Sequence, residues 1–69
     1  MVNQNKLGKR IQRIRKKNNI TQKDLAKLVG VTQGYVSKIE NGTAMPNLLF
    51  VNKIRVKFNV NLDELLCRL

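Results

Sequence analysis

From Lys6 to Asn18 the apolar residues Leu7, Ile11 and Ile14 recur at spacings of four and three. That period lays a single apolar stripe along an α-helix. The next boundaries share one device. Ile20-Thr21-x-x-Asp24-Leu25 places a Thr N-cap ahead of an acid that can answer it, with apolar residues on either side to staple the turn. Val31-Thr32-x-x-x-Val36 repeats the cap and staple without the acid, and Val60-Asn61-x-x-Glu64-Leu65 repeats them with a Glu. Gly30 and Gly42 follow apolar-periodic runs and suit left-handed helix ends. Pro46 starts a further helix or lies just before it, with Leu48, Val51, Ile54 and Phe58 as its buried stripe.

The pattern predicts five helices, at about 5–18, 22–29, 33–41, 47–58 and 62–68, after a frayed start at 1–5. No stretch keeps a period-two alternation, so no strand is predicted. The expected fold class is all-α. The 69 residues form one domain with its core in about 7–66. A chain of this size buries only about 60% of the surface it exposes unfolded, which leaves little room for a deep cleft.

Charge changes the picture next. There are 14 Lys and Arg against 4 Asp and Glu, a net charge of +10. Lys6, Lys9, Arg10, Arg13, Arg15, Lys16 and Lys17 put half of the basic residues before residue 18. Such an excess repels itself in the compact state, and a polyanionic partner relieves it. The chain has no His and a single Cys, Cys67, which reads as a small apolar filler near the C-terminus. A zinc site, an internal disulfide and a Cys–His catalytic pair are therefore excluded, and no catalytic constellation, metal or cofactor is expected. No apolar run approaches the ~18 residues of a membrane span, and the expected setting is cytoplasmic.

The chemistry concentrates in the second and third helices. Gly30-Val31-Thr32 is a tight turn between two short helices, the arrangement of a helix-turn-helix unit. Ala26 permits their close approach, and Val29, Val31, Val36 and Ile39 hold their angle. Gln33, Gly34, Tyr35, Ser37 and Lys38 are left outside or at the leading end. Gln can pair with adenine, Lys can reach guanine acceptors, and Gly lets backbone approach a ligand closely. The unpaired amides at both helix N-termini favour phosphate.

From Leu7 to Leu66 the chain resembles the phage-repressor/Cro-like family of bacterial helix-turn-helix regulators. The matching residues are ITQKDLAKLVGVTQGYVSKIENG from Ile20 to Gly42, then Pro46, Ile54, Phe58, Val60 and LDELL at 62–66. The resemblance implies a compact five-helix DNA-binding domain of the lambda-repressor kind. It implies that Gln33, Gly34 and Lys38 read base edges in the major groove of double-stranded DNA. By the same resemblance Thr21, Gln22, Tyr35 and Asn41 would contact phosphates. The residues themselves add Ser37 on the outer side of the third helix and, from the basic first helix, at least one of Lys6, Arg10 and Arg13, with Arg10 the candidate. The resemblance also implies an internal ion pair between Arg15 and Glu40. The pattern supports that pair independently, since Arg15 lies beside the first apolar stripe and Glu40 is the only acid of its helix. Arg55 stands where the family usually has a small Ala, which predicts a local shift of the fourth helix's inner face.

Leu28, Leu49, Phe50 and Val56 fall off the predicted stripes. With Leu62, Leu66 and Leu69 they are the candidates for a homodimer contact, which would pair two reading helices on a palindromic operator. The expected function is that of a transcriptional repressor acting by occupancy. An antitoxin of a toxin–antitoxin pair is an alternative within DNA binding. A basic amphipathic binder of RNA or membrane surfaces is an alternative outside it, disfavoured by a poor supply of stacking aromatics. No small-molecule ligand is implied.

Overall fold

The computed structural model describes residues 4–61 and 65, with side chains described from Lys6 onward. Over that range it is helical, with no strand among the described residues: α1 Gln4–Lys17, α2 Gln22–Val29, α3 Gln33–Glu40 and α4 Leu48–Phe58. These are four of the five expected helices. The expected helix at 62–68, with Leu62, Leu66, Cys67 and Leu69, lies outside the described residues except for Leu65. Leu65 is helical and fully buried, and its amide donates to the Asn61 carbonyl at 3.2 Å.

One local device ends all four helices. Asn19, Gly30, Gly42 and Asn59 adopt positive φ, at 58°, 75°, 80° and 54°. The next amide then reaches back five residues: Ile20 to Arg15, Val31 to Ala26, Thr43 to Lys38 and Val60 to Arg55. This closure pairs carbonyls that the helix end would otherwise leave open. In two cases the following residues are one apolar side chain and then the next N-cap: Ile20-Thr21 and Val31-Thr32. There one helix stops and the next starts within three residues, which fixes the angle between them.

The core consists of Leu7 and Ile11 from α1, Leu25, Ala26 and Val29 from α2, Val36 and Ile39 from α3, Phe50, Val51 and Ile54 from α4, and Leu65. α1 and α2 both pack on α3, and α4 packs on α2. α4 corrects the expected stripe. Leu48 is 80% exposed, whereas Phe50, placed off the stripe by its spacing, is 2% exposed. Asn47 is the N-cap, its side chain accepting from the Phe50 amide at 2.8 Å. With α4 starting there, its buried face runs through Phe50, Val51, Ile54 and the half-buried Phe58. At 3.6 residues per turn, Leu48 lies about 120° around the helix from Ile54. Arg55 does not face the core either: its guanidinium donates along the helix to the Asn52 side chain at 2.8 Å.

Gly8 is a second feature that spacing does not reveal. It is buried, and a Cβ built on it would overlap the Ile39 carbonyl oxygen and sit 3.3 Å from the Glu40 Cα. α1 and the end of α3 thus touch backbone to backbone. The tyrosine of α3 makes a third long-range tie. Its hydroxyl accepts from the Asn47 amide at 3.1 Å and donates, at 3.5 Å, to the Met45 carbonyl, while its ring meets Phe50 edge-on at 5.8 Å.

Candidate nucleic-acid interface

α2 begins on Thr21, whose hydroxyl accepts from the Asp24 amide at 3.0 Å while Asp24 accepts from the Thr21 amide at 3.2 Å. Hydrogen bonding of the carboxylate to Thr21, to its backbone amide first and its side chain second, holds Asp24 below the usual carboxylate range. α3 begins on Thr32, which accepts from the Tyr35 amide at 3.1 Å. The turn between them is closed at the left-handed Gly30 and tied across the chain by Lys53, whose ammonium donates to the Val29 carbonyl at 3.1 Å. A cation at the carbonyl end of α2 also suits that end's partial negative charge.

Val36, Ile39 and Glu40 turn α3 inward. Gln33, Gly34 and Lys38 are exposed, and Ser37 is half-buried. Asn41 is exposed as the C-cap. The three residues expected to read bases are thus all exposed on α3. Gly34 is open on all sides: a Cβ there would meet nothing within 4 Å. Nothing in the fold requires a glycine at that position, although glycine costs a helix about 1 kcal/mol relative to alanine.

Glu40 is the buried anchor of this surface. Its carboxylate accepts from the Arg15 Nε at 2.7 Å, the Arg15 terminal nitrogen at 3.0 Å and the Gln22 side-chain amide at 3.1 Å. The second terminal nitrogen of Arg15 donates to the Ile20 carbonyl at 3.0 Å. Hydrogen bonding to Glu40 raises the Arg15 pKa against the opposing effect of burial. One charged cluster therefore locks the end of α1, the start of α2 and the end of α3.

Spacing alone missed part of this arrangement. Gln22, an expected phosphate ligand, is half-buried with its amide nitrogen turned to Glu40; an amide oxygen there would face a carboxylate. Tyr35, another expected phosphate ligand, has its hydroxyl on the 45–47 backbone. Arg10 lines a hollow between α1 and the end of α4. Thr21 lies exposed at the start of α2. Of the missed features only Gly8 left a trace in the sequence, as an isolated glycine inside a helical pattern.

The helix-turn-helix family model matches residues 11–65. Among curated proteins, the chain is 34% identical over 65 residues to the ImmF control region 10 kDa protein of Bacillus phage phi105, covering 94% of this chain and 72% of that one. It is 36% identical over 55 residues to the antitoxin PezA of Streptococcus pneumoniae, covering 80% of this chain and 35% of that protein. Among solved structures, the P22 c2 repressor in complex with a synthetic operator superposes with a TM-score of 0.79 at 33% identity, over 87% of this chain and 91% of that one.

Proposed function

The chain belongs to the helix-turn-helix family and is a DNA-binding transcription regulator; from that premise we propose that it is a repressor reading double-stranded DNA with α3 in the major groove. The observation that carries the reading is the outward surface of Gln33, Gly34 and Lys38 on a helix otherwise turned into the core. Gln33 pairs with an adenine edge, Lys38 reaches guanine acceptors, and Gly34 brings the helix backbone against the base pairs. Thr21, Ser37 and Asn41 bear on the flanking phosphates, and Gln22 does so with the amide hydrogen that is not directed at Glu40. Tyr35 orders the 43–47 loop, and a phosphate contact would share its hydroxyl. Arg10 reaches a phosphate only from outside the α2–α3 unit.

Two copies act together on a palindromic operator in the cytoplasm, excluding polymerase by occupancy. Leu49 and Val56, 62% and 63% exposed and seven residues apart on α4, supply the apolar contact with Leu48. A two-fold pair would set the two reading helices about 34 Å apart on one face of the duplex. The likeness to PezA supports a second reading, an antitoxin that binds DNA in the same way.

Selection of bound duplexes from a random pool, followed by a salt titration, tests the proposal. A palindromic enriched motif is expected. Equal binding to all duplexes, with only a salt-dependent affinity, would reduce the protein to a general polyanion binder.

A further inference from the structure

Apart from Arg15, which turns inward to Glu40, α1 carries its cations on one face. Lys6, Lys9, Arg13, Lys16 and Lys17 are exposed and recur at three- and four-residue steps, and Arg10 lies half-buried among them. α1 contains no acid. Asp24 and Glu40, the two acids of the fully described stretch, are engaged at the α2 cap and by Arg15. At the C-terminal half of this face a hollow of about 240 Å³ opens between α1 and the end of α4, lined by Arg10, Arg13, Ile14, Lys17, Phe58 and Val60 among others. Ile14, Phe58 and Val60 are each only half-buried there. No residue of α2, α3 or the turn between them lines the hollow. It is therefore separate from the surface that carries Gln33 and Lys38.

We infer that this face of α1 and the adjoining hollow dock an acidic segment of a partner protein, with one apolar side chain in the hollow and flanking carboxylates on Lys9, Arg13, Lys16 and Lys17. Charge complementarity selects an anion. The hollow selects among anions, because half-exposed Ile14, Phe58 and Val60 gain free energy only by covering apolar surface. A duplex offers this face phosphates and nothing to fill the hollow. The hollow is also smaller than the ~300–1,000 Å³ of sites that enclose a small molecule. It suits an apolar anchor, the kind of group that dominates the energy of a protein interface while rim charges set specificity and on-rate. Occupancy there would add a partner to the regulator and leave α3 free.

The test selects short peptides from a random pool on the full chain at physiological salt, then measures the enriched peptides by fluorescence anisotropy. The expected motif is an apolar residue with acids within one helical turn on either side. Replacing that apolar residue by Ala should weaken binding about tenfold. Arg13→Glu/Lys17→Glu should weaken it at least as much, whereas Lys23→Glu/Lys27→Glu, an equal charge change on α2, should have a much smaller effect. Both pairs are exposed, so unchanged thermal melts should accompany both results. Val60→Gln should weaken the peptide without altering duplex binding. Failure of any peptide to enrich would overturn the inference, as would equal loss in the two charge-reversed variants or an apolar residue that proves dispensable. A random-sequence duplex that loses binding to Arg13→Glu/Lys17→Glu as fully as the peptide does would assign the face to nucleic acid instead.

Discussion

Arg15 of α1 and Glu40 of α3 form a two-pronged ion pair, 2.7 and 3.0 Å long, in which the Glu40 side chain is 1% exposed and that of Arg15 is 11% exposed. Removing Arg15 alone leaves a buried carboxylate with only Gln22 as donor. Arg15→Ala should therefore cost about 3 kcal/mol or more in urea unfolding. The double variant Arg15→Met/Glu40→Met, which leaves no charge behind, should recover most of that loss. Neither change should alter base preference in duplex selection. A stable Glu40→Ala protein with a new preference would instead place Glu40 on the DNA.

The two helical glycines should respond in opposite directions. Gly8→Ala drives a methyl into the Ile39 carbonyl and should destabilise the fold by about 1–3 kcal/mol. Gly34→Ala meets open space and should stabilise it by about 0.5–1 kcal/mol. Duplex affinity should nevertheless fall in Gly34→Ala, because the methyl stands on the surface proposed to approach the bases. Thermal melts with a binding isotherm separate the cases; an alanine at 34 that raises the melting temperature and leaves binding intact would remove that residue from the interface.

Lys38→Ala should relax preference at one base position, by about 1–3 kcal/mol of discrimination, and leave stability unchanged. Gln22→Ala should weaken all duplexes about equally. It should also lower stability by about 1 kcal/mol, since its amide is the remaining donor to Glu40. Comparing selected motifs and melts of the two variants tests both statements.

Asp24 titrates below its unfolded value, so its contribution to stability is present above the unfolded carboxylate pKa of about 3.9 and disappears as pH falls through the folded pKa. The melting-temperature difference between the natural chain and Asp24→Ala should be steady from neutral pH to about pH 5 and shrink in more acid solution. A difference that stays constant to the lowest pH at which the chain folds would show that the carboxylate's charge contributes nothing to the cap.

Self-association tests the α4 surface. Leu49→Glu/Val56→Glu should leave the melt of the monomer nearly unchanged, since both side chains are exposed. It should lower the sedimentation coefficient and reduce the affinity for paired half-sites to the weak level of a single half-site. Unchanged sedimentation would move the dimer contact elsewhere.

The helices, their caps and the polar face of α3 were legible in the sequence because each is decided within a few residues. Thr21 with Asp24, Thr32 with the Tyr35 amide, and the left-handed Gly30 all satisfy backbone groups of their own turn. The left-handed Asn19 and Asn59 belong to the same local grammar, each followed by an apolar residue, but asparagine marks that conformation less strongly than glycine does. Even the Arg15–Glu40 pair could be anticipated, since a lone acid beside an apolar stripe needs a cation.

The tertiary structure decided what depends on a neighbour distant in sequence. Periodicity fits α4 with Leu48 inward about as well as with Phe50 inward. The Phe50 arrangement puts that ring in the shared core and against the edge of Tyr35, whose hydroxyl takes the Asn47 amide. Gly8 is needed because the backbone of Ile39 arrives there, and Gly34 is unconstrained because nothing does. A helix period specifies which side chains share a face, but the rotation of that face is set by the packing of side chains and backbone from other helices, and no local pattern contains those distances.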